Sequence, residues 1–551
     1  MNKKLLGLGL SMALFLISCE KDNTGDSPIP QEQQTFHVET NQTELSKSLN
    51  FDNSGVIGIT SVGSTRDQES NNLIGIEQIA FINPPTIEGE ILRATDVDFK
   101  DDFIYVAYTK EGEDYLGGID IIDISDEHNP LLVNRVLSPY ADINAISIDG
   151  DQLYFIGAYF AGDDNPDRAF IGSTSLRNGE FSNDVAMKIN VTGYTGVEIL
   201  QLEESFISLT GSNGILGHYD INSENEITTL DELSITDLRS ADYKNGKLAV
   251  LSGDQGILLM RRTNDGFEIE SKTATTTLIP ESKRKIAWFQ NQVIVPEGPS
   301  GAGIYNLLSN SLTKSLPIHS LPEGSSVSND DKVTNAVSTN EDYVFMANGG
   351  AGLSIAKLSE DINILAEGIA EIDGSSNYVE AKGDYVFVAS GEGLKILKLS
   401  KPKNDSGSSE YFAMCAEYPR YDGNPNFNVN SNEEKNYSGS ANVNNLNVNG
   451  NLTFCGSINS KHGININSNG VFNMNGSMAV GRYGKREDLN INSNAVLRIQ
   501  GSVTIYSNLN LNSGATLEFV GENSTIHIFG EVRKGDNVTV KGDYTDTSNK
   551  L

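Results

Sequence analysis

Few residues in this chain are spaced for chemistry. The six histidines, His37, His128, His218, His319, His462 and His527, form no HxH, HExxH or HxxxH pair, so no zinc-type centre is visible. No Gly-x-Ser-x-Gly elbow, phosphate loop or dinucleotide fingerprint occurs, and Cys415 and Cys455 lie in no nucleophile motif. The best metal candidate is Asp163, Asn165 and Asp167 in DDNPD, whose alternating oxygens reproduce the first half of a calcium loop. Arg168 stands where that loop needs Gly, and no distal Glu completes it. The competing reading is an acidic, solvated hairpin tip, which also fits Glu111 to Tyr115 (EGEDY). Calcium is therefore the one cofactor the sequence suggests, and no other is expected. Cys415 and Cys455 either form one disulfide or remain separate thiols, because spacing does not fix geometry. Trp288, the single tryptophan, is either a sugar platform or a buried aromatic. Any catalytic centre would have to be assembled from carboxylates on separate segments.

The elements that would bring such residues together repeat. From about residue 94 to 399 a strongly apolar strand leads to a Gly, and a second apolar strand follows it. Ile104-Tyr105-Val106-Ala107 precedes Gly118-Ile119-Asp120-Ile121-Ile122, and Tyr343-Val344-Phe345-Met346-Ala347 precedes Gly352-Leu353-Ser354-Ile355. Roughly seven copies follow one another at about 42–53 residues, the period of a four-stranded propeller blade. The last copy, Tyr385 to Ser400, shows at most three strands before Pro402. An orphan strand upstream, Leu73 to Asn83, is expected to complete it and close the ring.

One copy carries a family resemblance. Gly118-Ile119-Asp120-Ile121-Ile122-Asp123-Ile124-Ser125-Asp126, with Pro130, resembles the LVIVD repeat, G-L-x-I-x-D-V-S-D-P-x-x-P, in which the stretch ends a blade's third strand. Glu127 replaces the first Pro, and Gly393 to Ser400 (GLKILKLS) keeps the strand but loses the Asp. The resemblance implies a bacterial surface propeller and names no activity.

After Pro402 the composition changes. Residues 403–440 read as a linker and cap, and residues 441–545 become rich in Asn, Gly and Ser. Ile464-Asn465-Ile466-Asn467-Ser468-Asn469-Gly470 returns as Leu489 to Ala495 and again as Leu509 to Ala515. A motif that recurs after about 20 residues, with apolar positions alternating, predicts three short strands per coil of a parallel β-helix. Its asparagines are expected to stack between coils, and Arg482 to Asp488 reads as a loop inserted into one coil. An antiparallel sandwich is the alternative. The expected fold is thus all-β: a propeller over 36–402, then the solenoid.

The N-terminus sets an expected address. Lys3 and Lys4, the apolar run Leu5 to Ile17, and Leu16-Ile17-Ser18-Cys19 resemble the signal peptide and lipobox of bacterial lipoproteins. That resemblance implies cleavage after residue 18, acylation of Cys19, and a flexible tether over 19–35. Glu20-Lys21-Asp22 resembles the surface-export signals of Bacteroidota lipoproteins. Net charge is −34, from 40 basic and 74 acidic residues, which excludes nucleic acid as a partner. The expected partners are the membrane, through the lipid, and a protein or glycan at the cell surface. The expectation is a non-enzymatic binding or adhesion scaffold at the outer membrane, its solenoid a spacer or adhesive arm. Alternatives are a propeller hydrolase or lyase acting on extracellular polysaccharide or lactone, and a structural envelope component.

Overall fold

The computed structural model describes residues 36–551 apart from 53, 62–74, 113, 161–164, 204, 212, 264–265, 276–284, 322–326, 341, 371, 373, 401–410, 422 and 523. The expected signal segment, Cys19 and the tether, together with Asp163, therefore lie outside the described residues.

Seven antiparallel sheets follow one another along residues 93–400. Blade one spans 93–138, blade two 141–191, blade three 196–234, blade four 238–273, blade five 287–316 and blade six 332–370. Blade seven combines Tyr378–Lys382, Tyr385–Ser390 and Gly393–Ser400 with Gly75–Ile82, which pairs with Gly393–Ser400 as the fourth strand. The orphan strand thus closes the ring. The first strands of consecutive blades touch one another all the way round, so they line the axis. Second and third strands are buried on both faces, as in Tyr343–Gly349 and Gly117–Asp123, because neighbouring blades cover both sides. Asn178-Gly179 and Asn245-Gly246 both have positive φ, the geometry of the tightest hairpin turns.

Side chains of the first strands stitch each blade to the next. Asp96 Oδ2 and Asp98 Oδ2 accept the Ile146 and Ile148 amides at 2.9 Å. Ser240 Oγ and Asp242 Oδ2 accept those of Ile286 (3.2 Å) and Trp288 (2.8 Å). Ser338 Oγ accepts the Ala381 amide at 2.9 Å. Each bond satisfies a backbone donor that the strand pairing leaves free.

The segment 36–61 straps the ring. His37–Glu39 extends blade one, Leu49–Asn50 and Gly55–Ile57 pair with the closing strand of blade seven, and Ile59–Ser61 extends blade six. Arg135 anchors the strap. It holds buried Asp120 through two bonds, of 2.8 and 2.7 Å, and donates to Ser48 Oγ and the Asn83 carbonyl, each at 2.9 Å.

Residues 426–546 form a parallel β-solenoid of about six coils, not a sandwich. Its strands begin within the segment read as linker and cap: Asn426–Val429 and Glu434–Val443 already form the first coil. The reason is that their apolar positions (Phe427, Val429, Ala441, Val443) enter the solenoid core before Asn dominates the composition. Successive coils step by 19, 18, 25, 20 and 23 residues (Asn426↔Asn445, Leu446↔Ile464, Ile464↔Leu489, Leu489↔Leu509, Leu509↔Val532), and the 25-residue coil holds the insertion 482–488. The ten-residue strands bend at Gly439, Gly456, Gly476 and Gly501, which stack in register at positive φ. Two asparagine ladders run between coils. In one, Asn447, Asn465, Asn490 and Asn510 each donate to the Asn one coil before, at 2.8–3.1 Å. In the other, Asn467, Asn492 and Asn512 do the same at 2.8–3.2 Å. Cys415 and Cys455 are joined by a disulfide, with Cα atoms 5.6 Å apart, which pins the lead-in segment to the second coil.

The solenoid does not extend as a free arm. It docks on the strap, where Val56, Ala479 and Tyr506 form a small apolar cluster joined by Phe529. Apolar area that would otherwise face water drives that docking.

Candidate functional site at the mouth of the propeller channel

The first strands of blades one to four each carry an irregularity. Register shifts fall between Ala94 and Asp96, Ile143 and Ala145, Gly196 and Glu198, and Leu238 and Ser240. The residue skipped in each (Thr95, Asn144, Val197, Arg239) turns toward the axis end, as bulges do. Together they rim a funnel of about 580 Å³.

Carboxylates from several blades surround one lysine below that rim. Lys285 Nζ lies 2.8 Å from Glu198 Oε1 and 3.8 Å from Asp96 Oδ1, and Ser240 Oγ donates to Glu198 Oε2 at 3.1 Å. Burial pushes the Glu198 carboxyl up to about 7, Lys285 opposing the rise and Asp96 adding to it. Burial likewise raises Glu380 to about 8, against Lys285 and with Asp98, Asp96 and Asp242. Burial also raises Asp98 and Asp242. Burial by itself would lower Lys285, but Asp96, Glu198 and Glu380 outweigh it and hold the ammonium charged. The cluster can hold and release protons near neutral pH and can form charge-assisted hydrogen bonds.

The calcium candidate is not assembled in the same way. Asn165 Oδ1 accepts the Asp167 amide at 3.0 Å, a local turn, and Asp167 Oδ1 accepts the Gly193 amide at 2.9 Å, 26 residues on, so both oxygens serve backbone donors. Arg168 occupies the neighbourhood, its guanidinium donating to the Tyr115 hydroxyl at 2.7 Å and to the Asn165 carbonyl at 3.2 Å. Among the described residues no group of three His, Cys, Asp or Glu is placed to hold a metal ion. Trp288 is 7 % exposed, its indole donating to the Asp242 carbonyl at 3.0 Å, so it is a buried blade aromatic.

Sequence reasoning missed a second constellation, at the seam between propeller and solenoid. His128 and His527 stack with ring centroids 3.5 Å apart and planes 5° apart. Burial lowers His128 to about 4, helped by His527, and burial lowers His527 as well. Beside them Glu77, raised by burial, accepts the Tyr506 hydroxyl at 3.0 Å. Glu127 accepts the Tyr385 hydroxyl at 3.2 Å and pairs with Lys398. Those two residues are the departures from the repeat pattern: Glu127 stands at the lost Pro and Lys398 at the lost Asp. Each departure was visible in the sequence, but their pairing across blades seven and one was not.

The LVIVD repeat family model matches residues 93–138 and 373–405, which are blade one and the chain-contiguous strands of blade seven. No curated protein sequence matches the chain. Among solved structures, one chain of "Crystal Structure of Mitotic Checkpoint Complex" is similar at 11 % identity and TM-score 0.40, covering 61 % of this chain and 96 % of that one. A computationally designed protein, Ika8, is similar at 11 % identity and TM-score 0.37, covering 64 % and 98 %. The WD40 β-propeller domain of Doa1 is similar at 13 % identity and TM-score 0.40, covering 59 % and 97 %. Likenesses this distant say nothing about ligand or activity. The chain is thus a seven-bladed β-propeller carrying LVIVD repeats in its first and last blades, followed by a parallel β-solenoid.

Proposed function

We propose that this protein is a lipid-anchored cell-envelope scaffold that binds a protein or glycan partner at the outer membrane or cell surface without transforming it. The observation that carries the reading is the funnel. It is a concave site of about 580 Å³, within the size range of ligand pockets, built on rigid strands that several blades supply. Its charges are largely spent on one another, as in Lys285 with Glu198, which suits recognition. The membrane partner rests on the residues around Cys19, whose acyl chains would hold the chain at the surface. The solenoid then serves as a docked support beside the propeller.

Metabolic labelling with palmitate tests the anchor: the intact chain incorporates label and Cys19→Ala does not. Capture from an envelope fraction by the intact chain tests binding, with Arg239→Glu at the rim expected to abolish it. Label-free protein, or capture that Arg239→Glu leaves intact, overturns the corresponding half of the reading.

A propeller hydrolase or lyase is favoured by one observation, the Glu198 carboxyl that titrates near 7 inside the channel, as a general acid requires. Turnover of a polysaccharide or lactone that Glu198→Gln abolishes would establish it.

A further inference from the structure

The solenoid departs from its own repeat at one corner. The insertion 482–488 lengthens one coil to 25 residues and brings in Arg482, Lys485 and Arg486. Residues 426–551 hold ten Lys and Arg against ten Asp and Glu, so the net charge of −34 resides in the rest of the chain. The insertion is held at its base. Arg482 Nη2 donates to Glu487 Oε1 at 2.6 Å, and the Lys485 amide donates to the Arg482 carbonyl at 3.1 Å. The Tyr483 ring packs against Phe51 of the strap, 4.8 Å between centroids, and against Phe529 of the solenoid, 5.5 Å. Lys485 and Arg486 are thus exposed on a fixed turn.

The carboxylates around that turn are already engaged. Asp488 Oδ1 accepts Ser507 Oγ at 2.6 Å and the Asn508 amide at 3.1 Å, and Oδ2 accepts Asn510 Nδ2 at 3.0 Å. Glu487 is held by Arg482 and lies 3.1 Å from His462 Nδ1. Glu531 pairs with Arg533 at 3.0 Å. Lys485 and Arg486 are left with no ion pair or side-chain hydrogen bond among the described residues. They border a groove of about 630 Å³ that runs from the insertion across Tyr506 and Asn508 to Glu531 and Arg533. Arg533 comes from the last coil, two coils beyond Leu489 in register, so its backbone stands roughly 10 Å along the axis from that of the insertion. Its pair with Glu531 is exposed and therefore weak, so the guanidinium can exchange Glu531 for a ligand anion. Tyr483, 38 % exposed, also lines the groove. Cations at spaced positions beside a fixed aromatic ring suit a chain of rings that carries repeated anionic groups. Guanidinium forks hold carboxylate or sulfate through paired hydrogen bonds, and an aromatic ring packs on the apolar face of a sugar. The concavity favours a narrow chain over the flat surface of a bilayer.

We propose that this groove binds an acidic oligosaccharide, its carboxylate or sulfate groups held by Lys485, Arg486 and Arg533 and one sugar ring packed on Tyr483. The site is separate from the funnel and gives the solenoid a ligand of its own.

The test uses the intact chain in mild detergent with oligogalacturonates, sulfated dextran fragments, neutral dextran fragments of matched length and phosphatidylglycerol vesicles. Affinities are measured by calorimetry. The acidic oligosaccharides bind the wild type and the neutral fragments do not, and raising the ionic strength weakens the binding. Lys485→Gln combined with Arg486→Gln weakens it at least ten-fold, and Arg533→Gln weakens it several-fold. Lys47→Gln combined with Lys272→Gln, which removes the same charge from exposed positions on the strap and the propeller, leaves affinity unchanged. All three variants keep the wild-type melting temperature. Absence of binding by every acidic oligosaccharide overturns the proposal, as does equal affinity in wild type and the Lys485 and Arg486 double variant. An equal loss in the two double variants would show that net charge alone drives association, and overturns the site. Binding confined to the vesicles overturns the ligand class. None of these outcomes bears on the funnel, whose capture test turns on Arg239.

Discussion

The side chains that distinguish this propeller are ionisable groups taken out of water, and their titration gives two opposite pH dependences. Glu380 and Glu198 have folded values raised to about 8 and about 7. Their contribution to stability is complete below the ordinary carboxylate value and is lost as pH rises through 7 to 8. Glu380→Gln removes that loss, so the variant should melt higher than wild type at pH 9 and no higher at pH 4.5. A gain on the order of 1 kcal/mol would appear as roughly 2 °C in a domain of this size. Calorimetry at the two pH values checks this; a gain equal at both would show that packing, not charge, was responsible. His128 behaves in the opposite sense. Its folded value is lowered to about 4, so its stabilisation is present above the ordinary histidine value of about 6.5 and lost as pH falls through 4. The stack with His527 should therefore loosen between pH 6.5 and 4, because two charged imidazoles at 3.5 Å repel. His128→Gln should flatten the melting curve against pH in that interval while leaving the value at pH 8 within about 1 kcal/mol of wild type.

At the scale of elements, the solenoid is held by repetition of a few backbone requirements. Gly476 is stacked between Gly456 and Gly501 at φ 123°, and a Cβ added there would lie 2.0 Å from the Gly456 carbonyl oxygen. Gly476→Ala should cost about 2–4 kcal/mol, from the clash and the left-handed backbone together. The measurement is the urea midpoint of unfolding against wild type, and an unchanged midpoint would mean that the strand can straighten at its corner. The asparagine ladders are legible in the motif that recurs from Ile464 to Gly470, because an amide carries a donor and an acceptor at one position, so identical rungs satisfy one another. The blade strands were legible for a similar reason, since apolar runs bounded by Gly leave little alternative to a buried strand. The bulges at the axis were not legible. A one-residue excess in a strand changes no composition, and it is detectable only when the partner strand is known.

The whole molecule behaves as a ring, a strap and a docked coil. Glu127 with Lys398, together with the Gly75–Ile82 strand, ties blade seven to its neighbours, so the ring has no open blade edge where its termini meet. The strap lies between propeller and solenoid, with Ser440 Oγ donating to the Ile57 carbonyl at 3.2 Å and Tyr506 donating to Glu77. That seam predicts coupled unfolding. Val56 is 3 % exposed, and Val56→Asp places an unpaired charge in it. The variant should unfold in two separated thermal transitions where wild type shows one, with the propeller transition the less affected. A single transition shifted as a whole would indicate that the seam is not the coupling element. The last coil carries Arg533 and Lys534 in register with Asn510 and Leu511, charges that oppose continuation of the coil by a second copy.

Local periodicity determined what the parts are. The Gly-bounded apolar runs, the recurring Asn motif, the orphan strand and the altered LVIVD stretch each encode their element within a few dozen residues, and the structure places strands where those patterns lie. Only the tertiary structure decided what the parts make together. Asp96, Glu198, Lys285 and Tyr378 share no local pattern, and they meet because ring closure brings the first strands of separate blades to one axis. His128 and His527 meet because a solenoid that could have stood free buries its apolar edge against the strap. Sites of that kind arise from long-range packing, whose partners no window along the chain contains.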